Sequence, residues 1–476
     1  MRNIVNFDKQ CNIKRPQFLA IIAIGAVVIP QKSGVDSVAI EGIASAIVQL
    51  KLAMHRFFAS TYTAPTSTVM VNIEQNTERL FLINRALCIL LCLTTGCSTM
   101  PRNPVPLDQM PRAEISGIPG VRAWSGTFSK QFETDLLQSV QQTFKHVGIT
   151  ELESMPATDV LLLSGGGDSG AFGAGFMHGW SQSGTRPEFK LVTGISTGAL
   201  IAPFAFLGTE YDSTLKEAFT TISAKDVYHI RWLSFPWSDA FADPMPLAQL
   251  IKRYITKDIL KAIARAHQQG RRLYVGTTNL DADRLVIWNM GAIAISGHPN
   301  ALDLFRQIIL ASSSVPGAFP PVLIEVEIDG ASYDEMHVDG GVKAQLFMLA
   351  ATLDIAELRK KLGVFPEIDR ETRIFVIRNA EVGPEPEQVP RNLKVIPRRA
   401  FSSLIKSQAL SDLNRIYEVA KKHDLDFNWV ALPNDYEPLE GGKFDIDEMN
   451  SLFKLGYEIG LKENVWRKVP PKIGQH

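Results

Sequence analysis

No cysteine follows Cys97 in this chain of 476 residues, whose four cysteines are Cys11, Cys88, Cys92 and Cys97. A disulfide scaffold, a thiolate metal cluster and a cysteine nucleophile are therefore excluded from everything downstream. Charge imbalance is missing too: 49 Lys and Arg stand against 50 Asp and Glu, a net charge of -1. Such a chain has no bulk field to draw it to nucleic acid or to an anionic membrane, so no nucleic-acid partner is expected, and only a local patch stays open. An internal repeat, a low-complexity tract, a histidine metal motif and a calcium loop are also lacking, so neither metal nor cofactor is expected. What is present is length for about two to three average domains, or for one large α/β domain with additions.

The cysteines end in an informative place. Arg85 is followed by the apolar run Ala86 to Leu93, then by Thr94, Thr95, Gly96 and Cys97. A basic residue, a short apolar run and small residues have the layout of a secretory signal, too short to remain as a membrane-spanning helix. The segment resembles a bacterial lipoprotein signal, which implies that Cys97 is diacylated and becomes the first mature residue. Thr94 stands where that pattern usually has leucine, and an ordinary signal peptide cut near Gly96 is the alternative. Acyl chains would hold the protein on a membrane surface without a spanning helix. Upstream, Phe18 to Ile29 after Lys14 and Arg15 is a second signal-like run, followed by an amphipathic stretch from Val38 to Phe58. Two export signals in series make little physical sense, so Met70 is expected to be the start, with a membrane-associating leader as the alternative. After Cys97, five prolines from Pro101 to Pro119 predict an extended tether. Phe128, Phe132, Leu136, Val140 and Phe144 then recur every four residues ahead of Gly148, predicting a helix with one buried face and a glycine stop.

The chemistry starts at Val160 to Leu163, an apolar strand running into Gly165-Gly166-Gly167-Asp168-Ser169-Gly170 and a helix rich in small residues. Backbone amides of such a turn can face an anion, with the helix N-terminus adding partial positive charge. The same glycines fit a dinucleotide fingerprint, but that reading needs an acidic residue at the end of the next strand. The next strand, Phe189 to Thr193, ends instead in Gly194-Ile195-Ser196-Thr197-Gly198 before an apolar helix. Gly-x-Ser-x-Gly between strand and helix is the pattern of a nucleophile elbow, although the pattern alone also occurs in merely structural turns. A serine nucleophile needs a base. Of the downstream histidines His229, His267, His298, His337, His423 and His476, none sits in a recognisable catalytic context. His423 follows two lysines at a helix end and reads as a surface residue. His337 is either a packed strand residue or a group behind the base. The better candidate is Asp339, exposed at a strand end by the following Gly340 and Gly341. A carboxylate is a weak base at its ordinary pKa of about 4, so this works only where packing raises its proton affinity.

These glycine turns, together with Ala311-Ser-Ser-Ser-Val-Pro-Gly-Ala-Phe-Pro-Pro-Val322 between them, resemble the patatin-like phospholipase family over Val160 to Val342. The resemblance implies a Ser196–Asp339 dyad without histidine, an oxyanion hole in the loop of Gly165, Gly166, Gly167 and Gly170, and a lipid or phospholipid ester as substrate. It also implies an α/β fold with a central, mostly parallel sheet between helical layers. Ser169 stands where many members carry an arginine, which leaves headgroup preference and rate open. An enzyme is expected, a membrane-tethered lipid acyl hydrolase of the bacterial envelope, on the periplasmic face of the outer membrane or else soluble in the periplasm or secreted. An acyltransferase on the same dyad, or a lipid-binding lipoprotein without turnover, are the alternatives.

The remaining chain supports one domain. Leu273 to Asn279, Leu285 to Asn289, Val322 to Ile328, Arg373 to Arg378 and Asp426 to Leu432 predict strands, with Asp281 and Asp283 in a hairpin turn. Helices are predicted over Arg399 to Lys421 and Asp445 to Glu463, with a proline-acid loop from Glu381 to Pro390. The aromatic segment Ile230 to Phe241, with Trp232, Phe235 and Trp237, is either the lip of an acyl pocket or a loop anchor. The chain thus divides into an extension (1–69), a signal (70–96), a tether (97–120), a helical segment (121–158), a catalytic core (159–342) and a completion of the same domain (343–476).

Overall fold

The computed structural model describes residues 101–149, 156–230, 240, 242–349, 357, 361, 372–393, 395–440 and 442–471. The extension, the signal, Cys97 and the aromatics Trp232, Phe235, Trp237 and Phe241 lie outside them. Among the described residues nine strands form one sheet. They are β1 (Arg122–Trp124), β2 (Thr158–Leu163), β3 (Leu191–Gly194), β4 (Arg272–Asn279), β5 (Arg284–Asn289), β6 (Val322–Ile328), β7 (Ala331–Asp339), β8 (Thr372–Arg378) and β9 (Asp426–Ala431). Spatially, β4, β3, β2, β8 and β9 run parallel to one another. The β4–β5 hairpin, β1 on β5, and the β6–β7 hairpin add antiparallel strands at one side.

Continuous apolar runs make the parallel strands because both faces of the sheet are covered. In β2, Leu161 and Leu163 enter one apolar cluster while Val160 and Leu162 enter another. Strand β8 divides its side chains the same way, Phe375 and Ile377 to the first and Ile374 and Val376 to the second. The result is a sheet between two helical layers, a mixed sheet whose central strands are parallel. On the first face α2 (Gly170–Gln182) crosses α6 (Ile446–Gly460) at close range. Gly175 and Gly179 of α2 lie against the Phe453 and Tyr457 carbonyls, while Gly456 and Gly460 lie against those of Phe172 and Phe176. No side chain fits between these backbones, which explains the small residues of α2.

Helix α1 (Lys130–Val147) begins at the Ser129 cap, which accepts a bond from the Phe132 amide, and stops at Gly148 in the left-handed region. Its buried face differs from the fourfold aromatic repeat: Phe132, Ser139 and Thr143 are buried, Leu136, Val140 and Phe144 are half-buried, and Phe128 is exposed ahead of the helix. Strand β1 also lies within this segment, where only helix was expected.

The extended tether expected over 97–120 is corrected for its described part. Val105, Met110, Ala113, Ile115 and Ile118 are buried in the main core. Arg102 bridges Asp281 and Asp334, and the Glu114 and Glu327 backbones exchange hydrogen bonds. The prolines disfavour regular structure, but the apolar residues between them still bury, so this segment lies on the β6–β7 hairpin. Asp281 does sit in the β4–β5 turn, where it also binds Arg102 and the Met336 amide.

Candidate active site

Strand register brings the two predicted side chains level. One edge of β4 pairs with β3 up to Gly194, opposite Val275. The chain then turns away at Ser196, and the same edge of β4 pairs with the end of β7, Thr277 opposite Asp339. Strand β7 thus takes the place that β3 leaves, and Asp339 arrives beside Ser196. Because β2 is the parallel neighbour of β3, the glycine loop after Leu163 opens at the same end of the sheet.

Ser196 has φ 55° and ψ -125° and precedes α3 (Thr197–Leu207). This left-handed backbone in a residue with a Cβ costs about 1–3 kcal/mol and persists only where the surroundings enforce it. They do so here. A side chain on Gly198 would overlap the Leu163 and Ser164 carbonyls, and one on Gly194 would overlap Gly198, so the turn closes only with glycines. The Ser196 amide donates to Ser312 Oγ at 3.0 Å, and Ser312 Oγ donates on to the Gly276 carbonyl at 2.7 Å. Ser312 ends α4 (Ala301–Ser312), and its neighbours also serve the site. Ser313 Oγ reaches the Ser196 carbonyl at 3.4 Å, and the Ser314 carbonyl accepts from the Asp339 amide at 2.9 Å. The serine triplet therefore ties the Ser196 turn and the Asp339 strand together.

Asp339 is buried, and burial pushes its pKa up to about 7, against the nearby Ser196 hydroxyl and a hydrogen bond from the Gly341 amide. The Gly341 amide donates to Oδ1 at 2.7 Å. Among the described residues Oδ2 has no hydrogen bond of good geometry. The serine hydroxyl is thus close enough to favour the carboxylate without closing an aligned bond on it, as is common before substrate binds. Gly340 packs on the Gly276 carbonyl, leaving no room for a side chain between β7 and β4.

The four loop glycines have separate places. Gly166 and Gly167 border the cavity at Ser196. Gly165 lies against the Ser196 side chain, and Gly170 packs on Thr197. Asp168 binds Lys443 Nζ at 3.0 Å and the Phe444 amide at 3.2 Å, so the segment ahead of α6 grips the loop. From below, Asn379 donates to the Ser164 hydroxyl and carbonyl, while Arg378 Nη1 donates to Ser164 Oγ, Gly165 O and Gln345 Oε1 at 3.0–3.2 Å. Sequence reading missed Ser312, Ser314, Gln345, Arg378 and Asn379. The serine triplet and the polar Arg-Asn end of an apolar strand were the available signals.

No histidine contacts Ser196 among the described residues. His337 is buried with Nδ1 against Thr277 Oγ1 at 2.9 Å and Nε2 against Glu335 at 3.1 Å, and Arg122 pairs with that same glutamate. Of the two readings, it is the packed strand residue. His267 is buried beside Asp135, its pKa pushed down to about 4 by burial. His423 is half-buried at the end of α5 (Val395–Lys422).

A cavity of about 1130 Å³ opens from Ser196, above the ordinary range of roughly 300–1,000 Å³ for ligand pockets. Leu200, Phe204, Phe219, Leu247, Ile251 and Tyr254 give it an apolar wall. Tyr228 and Ala242, which flank the aromatic segment, line it too, as does the exposed Leu393.

The solved structure of VipD from Legionella pneumophila is similar at 11% identity and a TM-score of 0.33, covering 64% of this chain and 66% of that one. Human GIVD cytosolic phospholipase A2 is similar at 9% identity and a TM-score of 0.27, covering 67% of this chain and 52% of that one. The chain therefore spans less than two thirds of either protein. No curated protein matches it. The family model for patatin-like phospholipase matches residues 161–352, a span that holds the glycine loop, Ser196, the serine triplet and Asp339. Over those residues the chain carries a patatin-like phospholipase domain.

Proposed function

We propose that the chain is a serine lipid acyl hydrolase of the lipase or phospholipase A type, cleaving carboxylic esters with Ser196 as nucleophile and Asp339 as base. One observation carries the reading: the carboxyl of the buried Asp339, whose Oδ2 has no hydrogen bond among the described residues, adjoins the strained Ser196 at the edge of a large apolar cavity.

Ser196 Oγ attacks the ester carbonyl carbon as Asp339 takes its proton, and the carbonyl oxygen becomes an oxyanion facing the loop amides of Gly166 and Gly167. The bond to the alcohol then breaks, Asp339 returns the proton to the departing oxygen, and an acyl-serine remains. Water, giving a proton to Asp339, attacks the acyl carbon, and collapse releases the fatty acid while the proton goes back to Ser196. A carboxylate suffices because burial lifts its proton affinity toward neutral pH. The apolar wall supports a long acyl chain as the group transferred.

The reading extends to the envelope. Cys97 would be diacylated and hold the enzyme on a membrane surface of a bacterial cell. No described helix is long and apolar enough to cross a membrane. A Cys97→Ser variant that stays with the membrane fraction would count against the anchor. Ser169, in the place of the family's usual arginine, favours a second reading, lipid binding without turnover. A lipid-class panel comparing the full chain with Ser196→Ala separates the two: hydrolysis of at least one ester class, lost in the variant, supports the enzyme, and no hydrolysis supports the binding protein.

A further inference from the structure

Arg378 ends β8 and is fully enclosed beneath the glycine loop. Among the described residues it hydrogen-bonds only neutral acceptors: Ser164 Oγ at 3.2 Å, Gly165 O at 3.0 Å and Gln345 Oε1 at 3.1 Å. The carboxylate that acts on its charge is Asp412, which is itself engaged by the Gln345 and Leu346 amides and by Arg415. A buried cation held this way keeps much of its field. Isolated charge in a dry site is costly, so a chain gains nothing in stability by placing one there unless the charge is used.

Its direction is set by the peptide plane. In a trans peptide the carbonyl and the following N–H point opposite ways. Arg378 holds the Gly165 carbonyl, so the Gly166 N–H is aimed away from Arg378, and Gly166 borders the cavity beside Ser196. Among the described residues that N–H has no acceptor. A cation on the carbonyl also polarises the amide and makes its N–H a stronger donor. The second arm reaches the base: Gln345, which accepts from Arg378, donates through Nε2 to the Gly341 carbonyl at 2.9 Å, and the Gly341 amide holds Asp339 Oδ1.

We infer that Arg378 is a positioning residue for the proposed hydrolysis, aiming and polarising the Gly166 N–H as oxyanion donor and, through Gln345, fixing the turn that carries Asp339. It supplies from β8 a positive charge that the loop itself, with Ser169, does not hold. The inference rests on the hydrolase reading and makes a narrower claim.

Two variants of the full chain test it. Both variants remove the buried charge; Arg378→Met also removes every donor, while Arg378→Gln keeps an amide donor for Gly165 O and is expected to fold even where the first does not. On a soluble short-chain ester, kcat is expected to fall about tenfold in Arg378→Gln and about a hundredfold in Arg378→Met, the loss typical of one oxyanion donor, with KM within about twofold of wild type. A role confined to packing would instead lower the melting temperature and leave kcat of the folded fraction unchanged. Either folded variant with kcat within about twofold of wild type overturns the inference. Ser196→Ala, assayed in parallel, separates the two claims: wild-type hydrolysis in that variant overturns the hydrolase reading and the inference with it, whereas an inactive Ser196→Ala beside a fully active Arg378→Gln overturns the inference alone.

Discussion

Asp339 sits opposite Thr277 on the edge of β4 that β3 vacates after Gly194, two residues before Ser196. The proposed base is therefore carried by a strand that replaces, in the sheet, the strand leading to the proposed nucleophile, and the placement of Asp339 relative to Ser196 is set by backbone pairing. Sites built on paired strands hold their geometry better than sites on loops.

The first prediction concerns pH. Asp339 accepts a proton only when ionised, and its pKa lies at about 7. The rate of soluble-ester hydrolysis is expected to fall about tenfold per pH unit well below 7 and to level off above it. A kcat/KM profile from pH 5 to 9 checks this, and a profile flat down to pH 5 contradicts it.

The same carboxyl makes a stability prediction. In the unfolded chain Asp339 has its ordinary pKa of 3.8, and the fold raises it to about 7. Below 3.8 both states are protonated and the fold bears no cost. As the pH rises from 3.8 to 7 the unfolded chain releases this proton while the fold retains it on the buried carboxyl, and stability is lost; above 7 both states are ionised and the loss is complete. Asp339→Asn cannot ionise, so it should match wild type near pH 4 and exceed it at pH 8, by up to ~4 kcal/mol. Urea unfolding at the two pH values measures the difference.

Ser312→Ala removes the acceptor of the Ser196 amide and the donor to the Gly276 carbonyl, both buried. A loss of about 1–3 kcal/mol in stability is expected. The elbow is also freed, so kcat should drop while KM changes little, a split that steady-state assays of the folded variant resolve.

Gly456→Ala places a methyl group on the Phe172 carbonyl where α6 meets α2. Backbone cannot yield as a side chain does, so about 1–3 kcal/mol of destabilisation is expected. Because α2 follows directly on the glycine loop, kcat should fall as well. An unchanged melting temperature would contradict the close crossing.

How much of this was written in the sequence depends on the range of the interaction. Local signals were legible: the apolar run of β2, the glycines around Ser196, and Asp339 before Gly340 each declare a strand end or a tight turn. The serine triplet was visible but mute, since its bonds reach Ser196 and Gly276, far away in the chain. Arg378 looked like an ordinary strand terminus, because nothing local says that its guanidinium meets Gly165. Five prolines outweighed a weaker signal between 101 and 121, where Val105, Met110, Ala113, Ile115, Ile118 and Val121 recur at spacings that fit neither helix nor strand and yet are buried. Helix α5 begins at Val395, ahead of Arg399, because Pro397 is tolerated in a first turn.

The most direct measurement is covalent. The folded full chain is treated with a fluorophosphonate ester, and the modified residue is identified by peptide mass, alongside Ser196→Ala and Asp339→Asn. The predicted result is a single adduct on Ser196, absent from Ser196→Ala and formed at least a hundredfold more slowly in Asp339→Asn, on the order of the contribution of a positioned base. An adduct on another residue, or ester hydrolysis by folded Ser196→Ala at the wild-type rate, would contradict the Ser196–Asp339 dyad.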